Sequence, residues 1–332
     1  MIIPPEILIK NSLHPEDEKI LDEIEREENL IFSRESSFNG QIKVVDNRIG
    51  RFLKLENSYQ SAKINHPLYK GNIPYINYFF LAPAANSSIK KVLIIGLGAG
   101  YFINQLQSIL PQAEKIDVVE INPEMPEIAK EYFDFDGSGI NVKIQDGRVY
   151  VRNCREKYDL IIIDVFSESG LAYRFLTKEF FEELDNILAP GGIVATNVFS
   201  LTDINSENNI IFKSLLKTLS SVFEDNAVFP TNYGNYEFYR ICMGFAHELS
   251  DLTNVVIFSS QEETCFNVGT ILKIQDKLEL KLDKYVQDFY IDDIYLDKVK
   301  IFLDKYEYDP DFNPKGELYF HSIKSFLTNY NL

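Results

Sequence analysis

The sequence predicts an α/β fold with a mostly parallel sheet covered by helices on both faces, and three observations carry that expectation. From Lys91 onward, short apolar runs alternate with helix-length segments, the pattern of strands buried on both sides. The first run, Lys91-Val-Leu-Ile-Ile95, breaks into Gly96-Leu-Gly-Ala-Gly100, a tight turn opening a helix. The second ends at Val118-Val-Glu120 and so places a carboxylate at the end of a neighbouring strand.

Taken in order, residues 1–28 hold an N-terminal helix: residues 15–28 open with Pro15 and acids and set Ile20, Leu21 and Ile24 on one face. Residues 29–62 read as a small β-hairpin domain, because runs at 29–33, 41–45 and 51–55 are separated by Asn39-Gly40 and by a turn holding Asn47 and Gly50. The catalytic domain is expected over 63–248. Pro67, Pro74 and Pro83 surround an aromatic segment that reads as one helix leading to the first core strand. Strands follow at 91–95, 115–120, 140–145, 158–164 and 192–198, with helices at 100–109, 123–132 and 177–188 and a turn near 148–153. Ala189-Pro-Gly-Gly192 stops the last of these helices, since proline lacks a donor and glycine bends freely. A helix over 206–223 and two late strands at 226–229 and 238–242, joined around Tyr233-Gly234-Asn235, finish the sheet with an antiparallel edge. Residues 249–332 read as a mostly helical C-terminal extension that serves packing or oligomer contact.

The 332 residues carry a formal charge of −17, which argues against a nucleic-acid surface, because phosphate contacts need clustered Lys and Arg. The same field would favour a cationic small molecule. Cys154, Cys242 and Cys265 are widely spaced and the four histidines are scattered, so neither a disulfide framework nor a metal site is expected. No apolar run approaches the roughly 20 residues of a membrane span. No basic-then-apolar leader opens the chain, and a cytoplasmic location is the default expectation.

Ligands of doubly wound sheets bind at the carboxyl ends of the strands. Those positions hold Gly96, Gly98 and Gly100, then Glu120, then Asp146-Gly147, then Asp164. Glycines let the backbone approach a ligand where a Cβ would clash, and a carboxylate at Glu120 can take both ribose hydroxyls. Asp146 can accept from an adenine amino group while Gly147 lets the base lie close. The spacing is G-x-G-x-G, with Tyr101 where a dinucleotide fingerprint has its third glycine, which turns the reading from a nicotinamide site toward a nucleoside with an amino-acid-like tail. Taken singly, each acid also suits a turn or a helix cap. A parallel sheet finished by an antiparallel edge is the architecture of class I S-adenosylmethionine-dependent transferases.

Over residues 30–246 the chain resembles the spermidine synthase, or polyamine aminopropyltransferase, family. The likeness is carried by Ser37-Phe-Asn-Gly-Gln-Ile-Lys-Val-Val45, Gly50-Arg-Phe-Leu-Lys-Leu-Glu-Asn-Ser-Tyr-Gln60, the glycine loop, Val119-Glu-Ile-Asn122, Gln145-Asp-Gly147, the run ending at Asp164, Pro190-Gly-Gly192 and Pro230-Thr-Asn-Tyr-Gly234. The resemblance implies that Gln60, Glu120, Asp146 and Gly147 hold the donor nucleoside. It implies that Asp164 orients and deprotonates an attacking amine, with Tyr233 on the acceptor side, and that the chain forms a homodimer or homotetramer.

The departures concern the amine. The family's glycine loop carries an acid where this chain has Ala99, and its Asp-x-x-Asp becomes Asp164-Val-Phe-Ser167. Its Tyr-His-Glu aligns with Tyr75-Ile76-Asn77. Carboxylates that would grip a diamine are therefore replaced, putrescine is in doubt, and Tyr75, Ser167 and Glu168 become the acceptor-side candidates, Glu168 as a shifted substitute acid. The co-substrate is decarboxylated S-adenosylmethionine for aminopropyl transfer or S-adenosylmethionine for methyl transfer, with an amine acceptor, and no metal is needed. Loss of the acid at Ala99 favours the methyl donor, the N-terminal hairpins favour the aminopropyl class, and a non-catalytic nucleoside-binding scaffold is a further alternative.

Overall fold

The fold is described from a computed structural model covering residues 15–279, apart from 39, 57, 67–68, 70, 168–169, 172, 205, 207–208, 232–237, 245–251 and 265. It opens with helix α1 (Pro15–Arg26), whose Leu21 and Ile24 are buried. Four antiparallel strands follow in sequence order: β1 (Asn29–Ser36), β2 (Gly40–Asp46), β3 (Gly50–Leu55) and β4 (Ser58–Ile64). The mixed polar run of β4 carries little alternation, and the sequence reading stops short of it. Arg51 clamps this small sheet to the main body. Its guanidinium meets Asp46 through two parallel bonds of 2.7 and 2.8 Å and donates to the Tyr132 carbonyl at 3.1 Å, and the pairing holds the Asp46 carboxyl below its usual range.

The aromatic segment forms two single-turn helices, α2 (Ile76–Phe79) and α3 (Ala82–Ala85), rather than one. Pro83 opens the second, where a missing N–H costs nothing. Strands β5 (Lys91–Ile95), β6 (Lys115–Glu120), β7 (Ile140–Ile144) and β8 (Tyr158–Ile163) then alternate with α4 (Tyr101–Ile109), α5 (Met125–Tyr132) and α6 (Gly147–Asn153). After a two-residue ladder pairing 166–167 with 170–171 and a 3-10 turn at Tyr173–Phe175 come α7 (Lys178–Asp185), β9 (Leu188–Leu201), α8 (Ile210–Ser220), β10 (Asp225–Pro230), β11 (Leu252–Ser260) and α9 (Val268–Leu278).

The seven-stranded sheet has the order β10-β11-β9-β8-β5-β6-β7. All its pairings are parallel except those of β11, which runs against both β9 and β10. Successive strand residues serve opposite faces. Val92 and Ile94 enter a core with α4, α5, α9 and the N-terminal sheet, whereas Leu93 and Ile95 enter a second core with α6, α7 and α8.

Three expectations are corrected here. The run at 238–242 is not a strand: residues Tyr239–Met243 form a π-helical turn, and Phe238 packs edge-on against Tyr69 at 5.2 Å, under the N-terminal sheet. A short apolar run fits a buried helical turn as well as a strand. The antiparallel strand is instead β11, so the sheet continues beyond residue 248; Val255, Val256, Ile257 and Phe258 are completely buried, and the strand lies one place in from the edge. Ala189-Pro-Gly-Gly192 does not stop a helix either. Helix α7 ends at Asp185, and these residues form a bulge within β9 between Leu188, paired with Tyr158, and Ile193, paired with Leu160.

Candidate active site

At the carboxyl ends of β5, β6 and β8, where the strand order reverses, lies a cavity of about 490 Å³. Leu53, Leu55, Gln60 and Ser61 of the N-terminal sheet form its outer wall.

The glycine loop follows from packing. Gly96 has φ +99°, and a Cβ there would lie 2.4 Å from the Asp164 carbonyl oxygen, so glycine lets the loop press against the end of β8. Gly98 (φ +53°) faces Ser61 across the cavity. Gly100, at φ +69°, begins α4; its missing side chain makes room for the Phe135 ring, and it does not line the cavity. Ala99 is 1% exposed, packed in the core and not among the lining residues. The alanine that stands where the family has an acid therefore opens no room for a donor carboxylate in the described lining.

Glu120 ends β6 with one oxygen accepting from the Leu97 amide (3.0 Å) and the other from the Asn122 amide (2.8 Å). Burial raises its carboxyl above the ordinary value against these two bonds. A carboxylate has about four lone-pair sites, so acceptor capacity remains for a ligand hydroxyl. Asp146 caps α6 by accepting from the Val149 amide (2.9 Å) and forms an ion pair with Arg174 at 2.5 Å. Arg174 is held in turn: Arg148 grips Glu183 through two 2.9 Å bonds and donates to the Arg174 carbonyl at 2.9 Å. Gly147 lies so close to β5 that a Cβ would meet Ile95 at 2.6 Å.

Asp164 emerges from β8 into the cavity wall, half-buried. One oxygen accepts from Asn197 Nδ2 at 2.9 Å and the other from the Tyr75 hydroxyl at 3.1 Å. Asn197 is oriented by Asn254, whose Nδ2 donates to its carbonyl oxygen at 3.1 Å. Burial raises the Asp164 carboxyl to about 6, with the Asn197 and Tyr75 bonds opposing it. Burial and the neighbouring Asp164 charge push the Tyr75 hydroxyl well above its usual range, so it stays a neutral donor. A carboxyl poised near neutrality in a cleft, with two neutral donors fixing its orientation, can take a proton from a nucleophile.

Gln60, Tyr75, Gly96, Gly98, Glu120, Asp146, Gly147 and Asp164 thus line one cavity. Ser167 sits in the short ladder after β8, while Glu168 and Tyr233 lie outside the described residues. Asn77 is completely buried away from the cavity lining, with its side-chain Oδ1 accepting from Asn72 Nδ2, while Ile76 lines the cavity. Asn197, Asn254 and Arg174 escape sequence reading. The signal for Asn197 is an amide inside the apolar run of 193–199. Among the described residues no His, Cys, Asp and Glu group could hold a metal ion, and no helix is long and apolar enough to cross a membrane.

A "Probable polyamine aminopropyl transferase" of Bifidobacterium longum is 29% identical over 198 residues, 59% of this chain and 43% of that protein, so the match spans less than half of that relative's length. The "Polyamine aminopropyltransferase" of Clostridium botulinum is 27% identical over 251 residues, covering 72% of this chain and 82% of that one. "Putrescine N-methyltransferase 2" of Nicotiana attenuata is 29% identical over 181 residues, 52% of this chain and 47% of that one. The crystal structure of spermidine synthase from Thermotoga maritima has the same fold, with a TM-score of 0.60 at 20% identity over 79% of this chain and 84% of that one. The chain matches the spermine/spermidine synthase domain over residues 80–254, more than half its length, and it belongs to that family.

Proposed function

We propose that this protein is a group transferase that binds a sulfonium nucleoside against Gly96, Gly98 and Glu120 and alkylates an amine at Asp164. The observation that carries the reading is the Asp164 carboxylate, raised to about 6 and held by Asn197 and Tyr75 on the wall of a nucleoside-sized cavity. In the transfer the amine nitrogen attacks the carbon bonded to the sulfonium sulfur. A nitrogen–carbon bond forms, the carbon–sulfur bond breaks with its electron pair going to sulfur, and a neutral thioether nucleoside leaves. The nitrogen gives up a proton to Asp164. A free alkyl amine has a pKa of about 10, by analogy with lysine, so a positioned base is needed near neutrality. Most of the remaining task is alignment of the two partners.

Aminopropyl transfer from decarboxylated S-adenosylmethionine, a step of polyamine biosynthesis, is the favoured reading, supported by the names of the relatives from Bifidobacterium and Clostridium. Methyl transfer from S-adenosylmethionine is the second, favoured by the putrescine N-methyltransferase relative. Calorimetric titration of the protein with each nucleoside tests both. Tighter binding of the decarboxylated donor is expected; tighter binding of S-adenosylmethionine would select the methyl reading, and binding of neither would overturn both.

A further inference from the structure

The cavity wall at α6 carries a charged pair that the transfer chemistry does not use. Asp146 and Arg174 both line the cavity, and Nη2 of Arg174 meets Oδ1 of Asp146 at 2.5 Å. The same oxygen accepts from the Val149 amide at 2.9 Å, which fixes the carboxylate as the cap of α6. Arg174 is fixed through its backbone: it stands in the 3-10 turn Tyr173–Phe175, and the buried Arg148, itself forked onto Glu183, donates to its carbonyl at 2.9 Å. Its guanidinium carbon lies 5.3 Å from the centre of the Phe175 ring, another lining group. Both members of the pair are therefore held in place before a ligand arrives, which spares the ordering cost at binding.

An arginine beside a sulfonium ligand would repel it unless its own charge were balanced, and Asp146 supplies that balance. What remains is a rigid fork of donors next to a carboxylate. A carboxylate has about four lone-pair sites and a guanidinium about five N–H donors, so the pair presents an acceptor beside a donor. The edge of an adenine is the complement: its exocyclic amino group donates, and the ring nitrogen on either side of it, N1 or N7, accepts. We propose that Arg174 is a base-reading residue, donating to the ring nitrogen next to the amino group that Asp146 accepts, a role that rests on the reading of this cavity as a nucleoside site. Replacing that nitrogen by carbon would leave the guanidinium donor without its partner and cost a hydrogen bond to a charged group.

The test is calorimetric and uses the full-length protein with 5′-methylthioadenosine, the thioether nucleoside left by aminopropyl transfer, and with its 1-deaza and 7-deaza analogues, in which a C–H replaces one ring nitrogen. One analogue should bind about tenfold or more weakly than the parent. If both bind as the parent does, the role of Arg174 is overturned without recourse to a variant. Arg174→Met, which keeps a long apolar stem, should then bind the parent and that analogue equally, because the donor to the missing nitrogen has gone. A general disturbance of the site would instead weaken both and keep their ratio, and a penalty that persists in Arg174→Met would overturn the assignment. Tighter binding of the parent by Arg174→Met would overturn it as well, since Arg174 would then be a competitor for Asp146. Failure of the unaltered protein to bind 5′-methylthioadenosine strikes the reading of the cavity itself and this role with it, whereas binding without an analogue penalty strikes Arg174 alone.

Discussion

In the proposed reaction the charge state of Asp164 governs the chemistry. A carboxyl at about 6 is mostly ionised at pH 7 and above, and turnover should rise with pH through an acid limb near 6. The Asn197 bond stabilises the ionised form, so Asn197→Ala should move that limb upward by roughly one to two units, a hydrogen bond to a charge being worth about 1.5–3 kcal/mol. A pH–rate profile checks this, and an unshifted limb would remove Asn197 from its positioning role. The same shift has a stability sign. The folded state holds the Asp164 proton more tightly than the unfolded chain, so this group's contribution to stability falls as pH rises from about 4 to about 6. Asp164, Glu120 and Asp146 are legible in the sequence because each stands at or just beyond the carboxyl end of a strand. Asn197 and Asn254 are not, since their meeting depends on strand pairing across 57 residues.

At the scale of elements, β5 to β8 are readable because their apolar runs end in glycine or acid, while β11 is obscured by lying among less patterned residues. Its four-residue buried run fits strand or helix equally well until its neighbours are known. Yet β11 joins β10 to the rest of the sheet. Burial of Val255, Val256, Ile257 and Phe258 contributes about 1.5–3 kcal/mol per side chain, so the strand's total is comparable with the roughly 5–15 kcal/mol of a whole domain. A chain ending at residue 250 should lose its cooperative thermal transition. A melting curve like that of the full chain, followed by circular dichroism, would contradict the assigned place of β11.

At the scale of the molecule, the strand reversal at β5 places the glycine loop and Glu120 on one side of the cavity and Asp164 on the other. The N-terminal sheet, clamped through Arg51, supplies the wall between them and solvent. In the proposed function this division separates nucleoside binding from proton transfer, and Asp164→Asn tests it most directly. The substitution keeps the shape of the side chain but removes the base. Turnover should fall by about 10²–10⁴-fold, while calorimetry finds nucleoside affinity unchanged. Turnover close to that of the unaltered protein would contradict the assignment of Asp164 as the proton acceptor.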